Sequence, residues 1–282
     1  MNKMNIENIY DKKSISYDKF RNSKSGFNEI KNILDNFLIN RNNNNLNLLD
    51  VGCGTGHLLK YMNQYNFKNI NGIDPSESMI NKSLEKTKNI MNCKVWVDYI
   101  ENIKDNSYDI IICNQVIQNL TLNIEEAFNL RQKFYNQLYR VLKKNGLLII
   151  TTRNIKNTYS NMYWFCDKIL LEKSINDMNH FVPKNFVKEV KLINKFNLIK
   201  KHISEDLIYK KEYYYDYNLI NDIEWRNADS FWTHVFRNNE FDNFNEYINE
   251  LIKKNKIEEY IQNNNLLKNE EGHIIVLECY KL

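Results

Sequence analysis

Leu48-Leu49-Asp50-Val51-Gly52-Cys53-Gly54-Thr55-Gly56-His57-Leu58 carries three of the seven glycines in this 282-residue chain. Glycine inside regular structure costs roughly 0.5–1 kcal/mol, so this concentration marks a backbone task that a Cβ would prevent. The apolar run Leu46 to Val51 reads as a buried strand, and His57 to Tyr65 reads as a helix. Between them the glycines make a tight strand-to-helix turn whose bare backbone can press against a ligand. Asp74 stands 18 residues after Gly56, at the end of a second strand. An acidic residue there reaches the hydroxyls of a ribose lying over the turn. A dinucleotide oxidoreductase shares this layout, but its GxGxxG spacing fails here because position 57 is His.

Working outward, Asn69 to Ile73 is the second strand, and Pro75 and Ser76 signal the start of a helix to Asn89. Cys93 to Val97 is a third strand. Tyr108 to Cys113 is a fourth, apolar enough to be covered on both faces. Glu125 to Leu142 is a long amphipathic helix whose stop is read at Lys143-Lys144-Asn145-Gly146, cations followed by glycine. Leu147 to Thr152 is the fifth strand. Five alternations of strand and helix predict a parallel sheet with helices on both faces and a ligand at the carboxyl ends of its strands. Residues 1 to 41 read as helix with polar interruptions, with Phe27, Ile30, Ile33, Leu34 and Phe37 on one buried face. After Thr152 come an aromatic-rich segment to residue 182, a helix from Pro183 to about Lys195 and a sixth strand from Phe196 to Ile203. A second aromatic segment leads into a helical stretch from about Phe244 to Asn264, and a closing strand runs from His273 to Tyr280.

The 39 basic and 35 acidic residues give a net charge of +4, with the lysines dispersed. That distribution weighs against a nucleic-acid partner without ruling one out. No apolar run approaches the ~20 residues that span a bilayer, and Met1-Asn2-Lys3-Met4-Asn5 lacks the apolar region of a secretory signal. Five widely spaced cysteines, without a CxxC pair, fit reduced structural thiols in a cytoplasmic protein and no metal site.

The glycine turn and its neighbours resemble the class I S-adenosylmethionine-dependent methyltransferases, in particular the small-molecule enzymes of methyltransferase types 11 and 25. Gly72-Ile73-Asp74-Pro75-Ser76-Glu77-Ser78-Met79 resembles that family's second motif, and Asp98-Tyr99-Ile100 stands where the family places an acidic residue near the adenine amino group. Ser107-Tyr108-Asp109-Ile110-Ile111 and Leu142 to Leu148 are similar to its fourth strand and to the turn before its fifth. Ile9-Tyr10-Asp11 and Tyr17-Asp18 resemble the paired Tyr-Asp leader in which a tyrosine covers the cofactor. The resemblance covers residues 9 to about 152; the last two strands match by pattern alone.

It implies an α/β Rossmann-like fold with a seven-stranded, mostly parallel sheet whose last strand is antiparallel, capped by helical and aromatic insertions. Residues 1–45 would form a helical cofactor lid, 46–152 the cofactor-binding core, and 153–282 the remaining strands, with insertions at 153–195 and 204–271. The implied cofactor is S-adenosyl-L-methionine, leaving as S-adenosyl-L-homocysteine. Its implied contacts are Tyr17, Asp50, Gly52, Cys53, Gly54, Gly56, Asp74, Pro75, Met79, Asp98, Tyr99 and Asn114.

The implied reaction is in-line methyl transfer to a small molecule, which needs alignment and exclusion of water more than a catalytic triad. Many relatives carry histidines near positions 118 and 119, where this chain has Gln118 and Asn119. Candidate catalytic groups are therefore Asn114, His180 and His234. Tyr163, Trp164, Arg226 and Trp232 are candidates for the acceptor pocket, with Arg226 or Arg237 suited to an acceptor carboxylate. A tRNA or protein methyltransferase, and a non-catalytic cofactor-binding scaffold, are the competing readings, and the chain is expected as a monomer or homodimer.

Overall fold

The computed structural model describes residues 10–11, 14, 16–22, 24–155, 168–210, 213, 216–228, 232, 240–264 and 272–281. Its helices are α1 (Phe27–Leu38), α2 (His57–Met62), α3 (Glu77–Thr87), α4 (Ile124–Val141), α5 (Lys168–Met178), α6 (Phe186–Lys191), α7 (Ile223–Asn227), α8 (Glu240–Lys253) and α9 (Ile257–Asn264). Its strands are β1 (Asn47–Val51), β2 (Asn69–Asp74), β3 (Cys93–Val97), β4 (Tyr108–Asn114), β5 (Leu142–Arg153), β6 (Leu198–Ser204) and β7 (Ile274–Lys281). They form one sheet in the order β3-β2-β1-β4-β5-β7-β6. β7 alone runs antiparallel, inserted between β5 and β6, as expected from the resemblance.

Period-two alternation splits the core into two layers. Leu48, Ile70, Ile110, Ile112, Leu147 and Ile149 pack with α1, α2 and α3 on one face. Leu49, Ile73, Ile111, Cys113, Leu148 and Ile150 pack with α4 and α6 on the other. Burial on both faces explains why these strands read as continuous apolar runs; each large apolar side chain so buried contributes about 1.5–3 kcal/mol. Chain order reverses at β1, which pairs with β2 on one side and β4 on the other. Such a switch point opens a crevice at the carboxyl ends of the strands.

Three expected boundaries shift. α4 ends at Val141, and Leu142 already pairs with Tyr108 in the sheet. The register then jumps to Leu147 opposite Ile110, so Lys143–Gly146 is an excursion within β5 rather than a helix stop. Its left-handed residue is Asn145 (φ 62°), not the glycine. The helix expected from Pro183 to Lys195 is shorter, with Asn185 capping it through the Lys188 amide. The stretch expected as helix from Phe244 to Asn264 is two helices, separated at Asn255, whose φ of 54° no α-helix accommodates.

The described part of the 204–271 insertion packs on the α1 side of the sheet through Ile208, Tyr209, Trp225, Trp232 and Ile248. It also touches the N-terminal segment: Arg21 bridges Tyr209, and the Asn22 amide donates to the Ile208 carbonyl at 2.9 Å. No helix among the described residues is long and apolar enough to cross a membrane.

Candidate active site

The glycine turn is fastened to the neighbouring strand end. The Gly52 and Cys53 amides both donate to the Ile73 carbonyl, at 2.8 and 3.0 Å. Gly54 has φ +52°, and a Cβ there would meet nothing within 4 Å, so this backbone faces open space. Gly56 does a different job. At φ +81° it starts α2, and a Cβ would lie 2.4 Å from Ser83 Oγ and 3.0 Å from Ser83 Cα. It permits α2 to approach α3 closely, the packing task that the last small residue of a dinucleotide fingerprint performs.

A cavity opens at the carboxyl ends of β1 to β5. Gly52, Gly54, Asp74, Pro75, Met79, Asp98, Tyr99 and Asn114 all border it, and Tyr17 covers it from the N-terminal segment. A second pocket is bordered by Asp50, Cys53, Gly54, Tyr17 and Asn114, so the turn borders both spaces. Gly56 borders neither.

The two carboxylates nearest the turn are held differently. Asp74 accepts from the Gly54 amide (3.0 Å) through Oδ2 and from the Ser76 amide (2.9 Å) through Oδ1. Burial still pushes its carboxyl up to about 6. Ser76, whose Oγ accepts from the Met79 amide, caps α3, so Asp74 is not the helix cap. Asp50 is 1% exposed, and burial together with the nearby Asp74 charge pushes it up to about 8. Its buried Oδ1 has no hydrogen-bond partner. Asp98 accepts from Trp96 Nε1 (3.0 Å), the Tyr99 amide (2.8 Å) and Asn102 Nδ2 (2.7 Å), which fixes the loop after β3.

Where β4 ends, Asn114 donates through Nδ2 to the Ser25 carbonyl at 3.2 Å and accepts from the Thr151 hydroxyl. Gln115, at φ 62°, donates its amide to Thr151 Oγ1 (3.0 Å), and Gln118 Nε2 donates to the Gln115 carbonyl (2.8 Å). Asn114, Gln115, Gln118 and Asn119 thus bring amide side chains to a cavity that Val116, Leu120, Leu130 and Phe134 also line. No histidine lines the cavity among the described residues.

His180 lies elsewhere, in a depression between α4 and α6, and its carbonyl accepts from Arg131 Nη1 at 2.9 Å. Arg226 donates to the Ile220 carbonyl and stacks over Phe241 at 4.4 Å. Trp232 packs on Trp225 and Phe241. Neither Arg226 nor Trp232 borders the cavity; the insertion contributes Ala228 instead. His234, Tyr163, Trp164 and Arg237 lie outside the described residues. Tyr10 of the Tyr-Asp leader also lines the cavity, and lining residues missing from the sequence-derived candidates include Arg21, Gln115, Lys133 and Arg153. One signal could have found Arg153: a cation directly at the carboxyl end of a buried strand.

A model described as a methyltransferase domain matches residues 42–219, well over half of the chain. The human EEF1A lysine methyltransferase 2 is 31% identical over 111 residues, 38% of this chain and 47% of that protein. The Campylobacter jejuni ubiquinone/menaquinone biosynthesis C-methyltransferase is 32% identical over 111 residues, 37% of this chain and 43% of that protein. The chain thus spans about half the length of these curated relatives. A putative methyltransferase from an antibiotic biosynthesis pathway of Anabaena variabilis superposes with a TM-score of 0.58, covering 88% of this chain and 96% of that one at 14% identity, a likeness of fold. With the strand order and the glycine turn, the domain match settles the family: the chain belongs to the methyltransferase-domain family, among the class I S-adenosylmethionine-dependent methyltransferases.

Proposed function

We propose that this protein transfers the methyl group of S-adenosylmethionine to a small molecule held at the β4 and β5 end of the cavity. The observation that carries this reading is the cavity itself, bordered at once by the glycine turn, Asp74, Asp98 and Asn114 and covered by Tyr10 and Tyr17. The residues fit the cofactor on two counts. The buried, unpartnered Oδ1 of Asp50 offers an acceptor to the ammonium of its methionine part. The open space over Gly54 leaves the backbone bare where the nucleoside would lie. Asp74 would take the ribose hydroxyls, Asp98 and Tyr99 the adenine, and Arg21, which borders both spaces, the methionine carboxylate.

When bound, the cofactor supplies a methyl group already activated on a sulfonium sulfur. The chain's own task is therefore to align the acceptor and exclude water, worth effective molarities of about 10⁵–10⁸ M. Asn114 and the amides of Gln115, Gln118 and Asn119 orient the acceptor's attacking atom. Tyr10 and Tyr17 close the cavity over it. The buried aromatic insertion and the dispersed charge favour a small molecule over a protein or tRNA.

Calorimetric titration with S-adenosylmethionine and S-adenosylhomocysteine tests the cofactor site, with Asp74→Ala as comparison. Micromolar binding, lost in the variant, is expected. No binding to the folded wild type would refute the methyltransferase reading. Labelled methyl groups should then move into a metabolite fraction; transfer into protein or tRNA instead would overturn the small-molecule assignment.

A further inference from the structure

Four carboxamide side chains border the main cavity at and just after the end of β4: Asn114, Gln115, Gln118 and Asn119. We propose that Asn119 binds the acceptor by taking a hydrogen bond from an N–H group on the atom that is methylated, so that the acceptor is a neutral amine nitrogen carrying at least one hydrogen. The assignment deepens the methyl-transfer reading of the site and rests on it.

The hydrogen bonds at the end of β4 single out Asn119. Gln115 sits at φ 62°, a left-handed backbone that outside glycine persists where its surroundings over-determine it. Here Thr151 Oγ1 accepts from the Gln115 amide at 3.0 Å, and the Gln115 carbonyl accepts from both Gln118 Nε2 (2.8 Å) and Asn119 Nδ2 (3.0 Å). That carbonyl fixes which way the Asn119 carboxamide faces, with its nitrogen turned to Gln115 and its oxygen away. The side-chain oxygens of Asn114, Gln115 and Gln118 are all engaged, by Thr151 Oγ1, Gln118 Nε2 and Thr152 Oγ1 respectively. Asn119 Oδ1 alone of the four is buried with no hydrogen-bond partner among the described residues. A buried oxygen left so bears its full desolvation cost until a ligand donor satisfies it.

The donor belongs to the acceptor molecule rather than to the cofactor. The cofactor's amino group, ribose hydroxyls and ammonium already have carboxylates to take them, at Asp98, Asp74 and Asp50, on the β3 to β1 side of the sheet. Asn119 follows β4, on the side where Thr151 and Thr152 of β5 brace its neighbours. Nitrogen is the element this oxygen suits. A carboxamide orients a hydrogen without removing it, and a neutral amine attacks through its lone pair with its hydrogens in place. The N–C bond forms as the C–S bond breaks, the C–S pair stays on sulfur, and the nitrogen, now positive, releases a proton to water afterwards. A hydroxyl, thiol or carbon acceptor must lose its proton before or during attack, a task beyond a carboxamide. Glu101, on the turn after β3, and Lys133, on α4, border the same cavity as exposed charges, and Glu101 is the carboxylate that the test sets against Asn119.

The test has two arms. In the first, wild-type protein saturated with S-adenosylhomocysteine is titrated by calorimetry with aniline and with N,N-dimethylaniline, which keeps the ring and the nitrogen but has no hydrogen to donate. Aniline should bind at least about fivefold more tightly. Asn119→Leu should erase that preference while S-adenosylhomocysteine affinity stays within about threefold, and Glu101→Gln should leave the preference intact. Equal binding of the two anilines, a preference that survives Asn119→Leu, or one lost in Glu101→Gln would overturn the assignment. Should Asn119→Leu not fold, Asn119→Ser and the wild-type contrast between the two anilines decide the matter. In the second arm, S-adenosylmethionine labelled with carbon-13 in its methyl group is incubated with the protein and a low-molecular-weight cell extract. The carbon shift of the new methyl group separates N-methyl from O-, S- and C-methyl products; a methyl on nitrogen is expected, and one on oxygen, sulfur or carbon would overturn the assignment. Should the extract hold no acceptor, the first arm decides alone. Failure of S-adenosylhomocysteine itself to bind appears before either aniline is added, and identifies the methyl-transfer reading as the fault.

Discussion

The Lys86 ammonium lies 2.7 Å from the Asp18 carboxylate, joining the segment that carries Tyr17 to helix α3. The same carboxylate accepts from Thr55 Oγ1 at 2.7 Å and lies 3.1 Å from His57 Nε2, so it also grips the glycine turn. Asp11 repeats the device one step earlier, accepting from the Ser76 and Ser78 hydroxyls at 2.7 and 2.8 Å. Each Tyr-Asp pair of the leader divides its labour: the tyrosine borders the cavity, and the aspartate ties its own segment to α3 or its cap. Burial works against the ionised Asp18, but hydrogen bonds from His57, Lys86 and Thr55 hold its carboxyl well below the usual range.

Asp18→Asn should therefore loosen the cover rather than unfold the protein. Asp18 is a third exposed, which screens the pair, so the expected loss of stability is about 1 kcal/mol. S-adenosylhomocysteine affinity should fall about five- to tenfold, through faster release. Proteolysis of the leader, with and without ligand, reads the same event. Unchanged affinity and unchanged protection would remove the latch from the account.

The glycines of the turn should separate by function. Gly54→Ala keeps space for its methyl group but places it in the cavity, on a backbone at φ +52°. It should lose most cofactor affinity, with a stability cost of about 1–2 kcal/mol for the left-handed residue. Gly56→Ala meets Ser83 backbone and side chain. It should cost about 2–4 kcal/mol as α2 is forced from α3, and this would show first in the melting temperature. The reverse ranking in stability would mean that the turn packs differently.

Much of this was legible because the core elements obey local rules. The runs from Leu46 and Tyr108 are strands buried on both faces, and Phe27 to Phe37 form one helical stripe. The glycine-turn wall of the cavity was legible too, because its glycines and acids lie close to one another in sequence. The residues that enter the cavity from the leader and the insertion were not, because they meet it only through the tertiary fold. Arg21 reaches the cavity from a leader docked on Tyr209, and Ala228 reaches it because Trp225 and Trp232 anchor the insertion. Single histidines carried no such information, and His180 marks a different contact altogether.

That contact is a buried ion pair. Arg131 donates to both Glu189 carboxylate oxygens, at 2.6 and 3.0 Å, and its remaining nitrogen caps the His180 and Phe181 carbonyls. Tyr135 adds a 3.1 Å hydrogen bond to Glu189, so α4, α6 and the end of α5 meet at one guanidinium. Glu189→Ala leaves a buried cation without its counter-charge and should cost about 3–5 kcal/mol. Denaturant melts should record that loss while the S-adenosylhomocysteine affinity of the remaining folded protein is unchanged. A loss under about 1 kcal/mol would show that water reaches the pair.

Asp50 gives the site a pH dependence whose sign can be worked out. Its folded carboxyl titrates at about 8, through burial first and the Asp74 charge second, and that of Asp74 at about 6. Unfolded aspartate titrates near about 3.9. Between these values the folded ligand-free protein holds protons that the unfolded chain has released. Its stability therefore falls as pH rises from about 4 toward 8. A ligand ammonium prefers the ionised Asp50 and so displaces its proton. S-adenosylhomocysteine affinity should then climb between about pH 5.5 and 7.5, by up to about tenfold per unit, and level off near the Asp50 value. Asp50→Asn should bind more weakly with a flatter profile, because no proton is left there to displace. A wild-type affinity that is flat or falling over this range would show that the ammonium is held by another group.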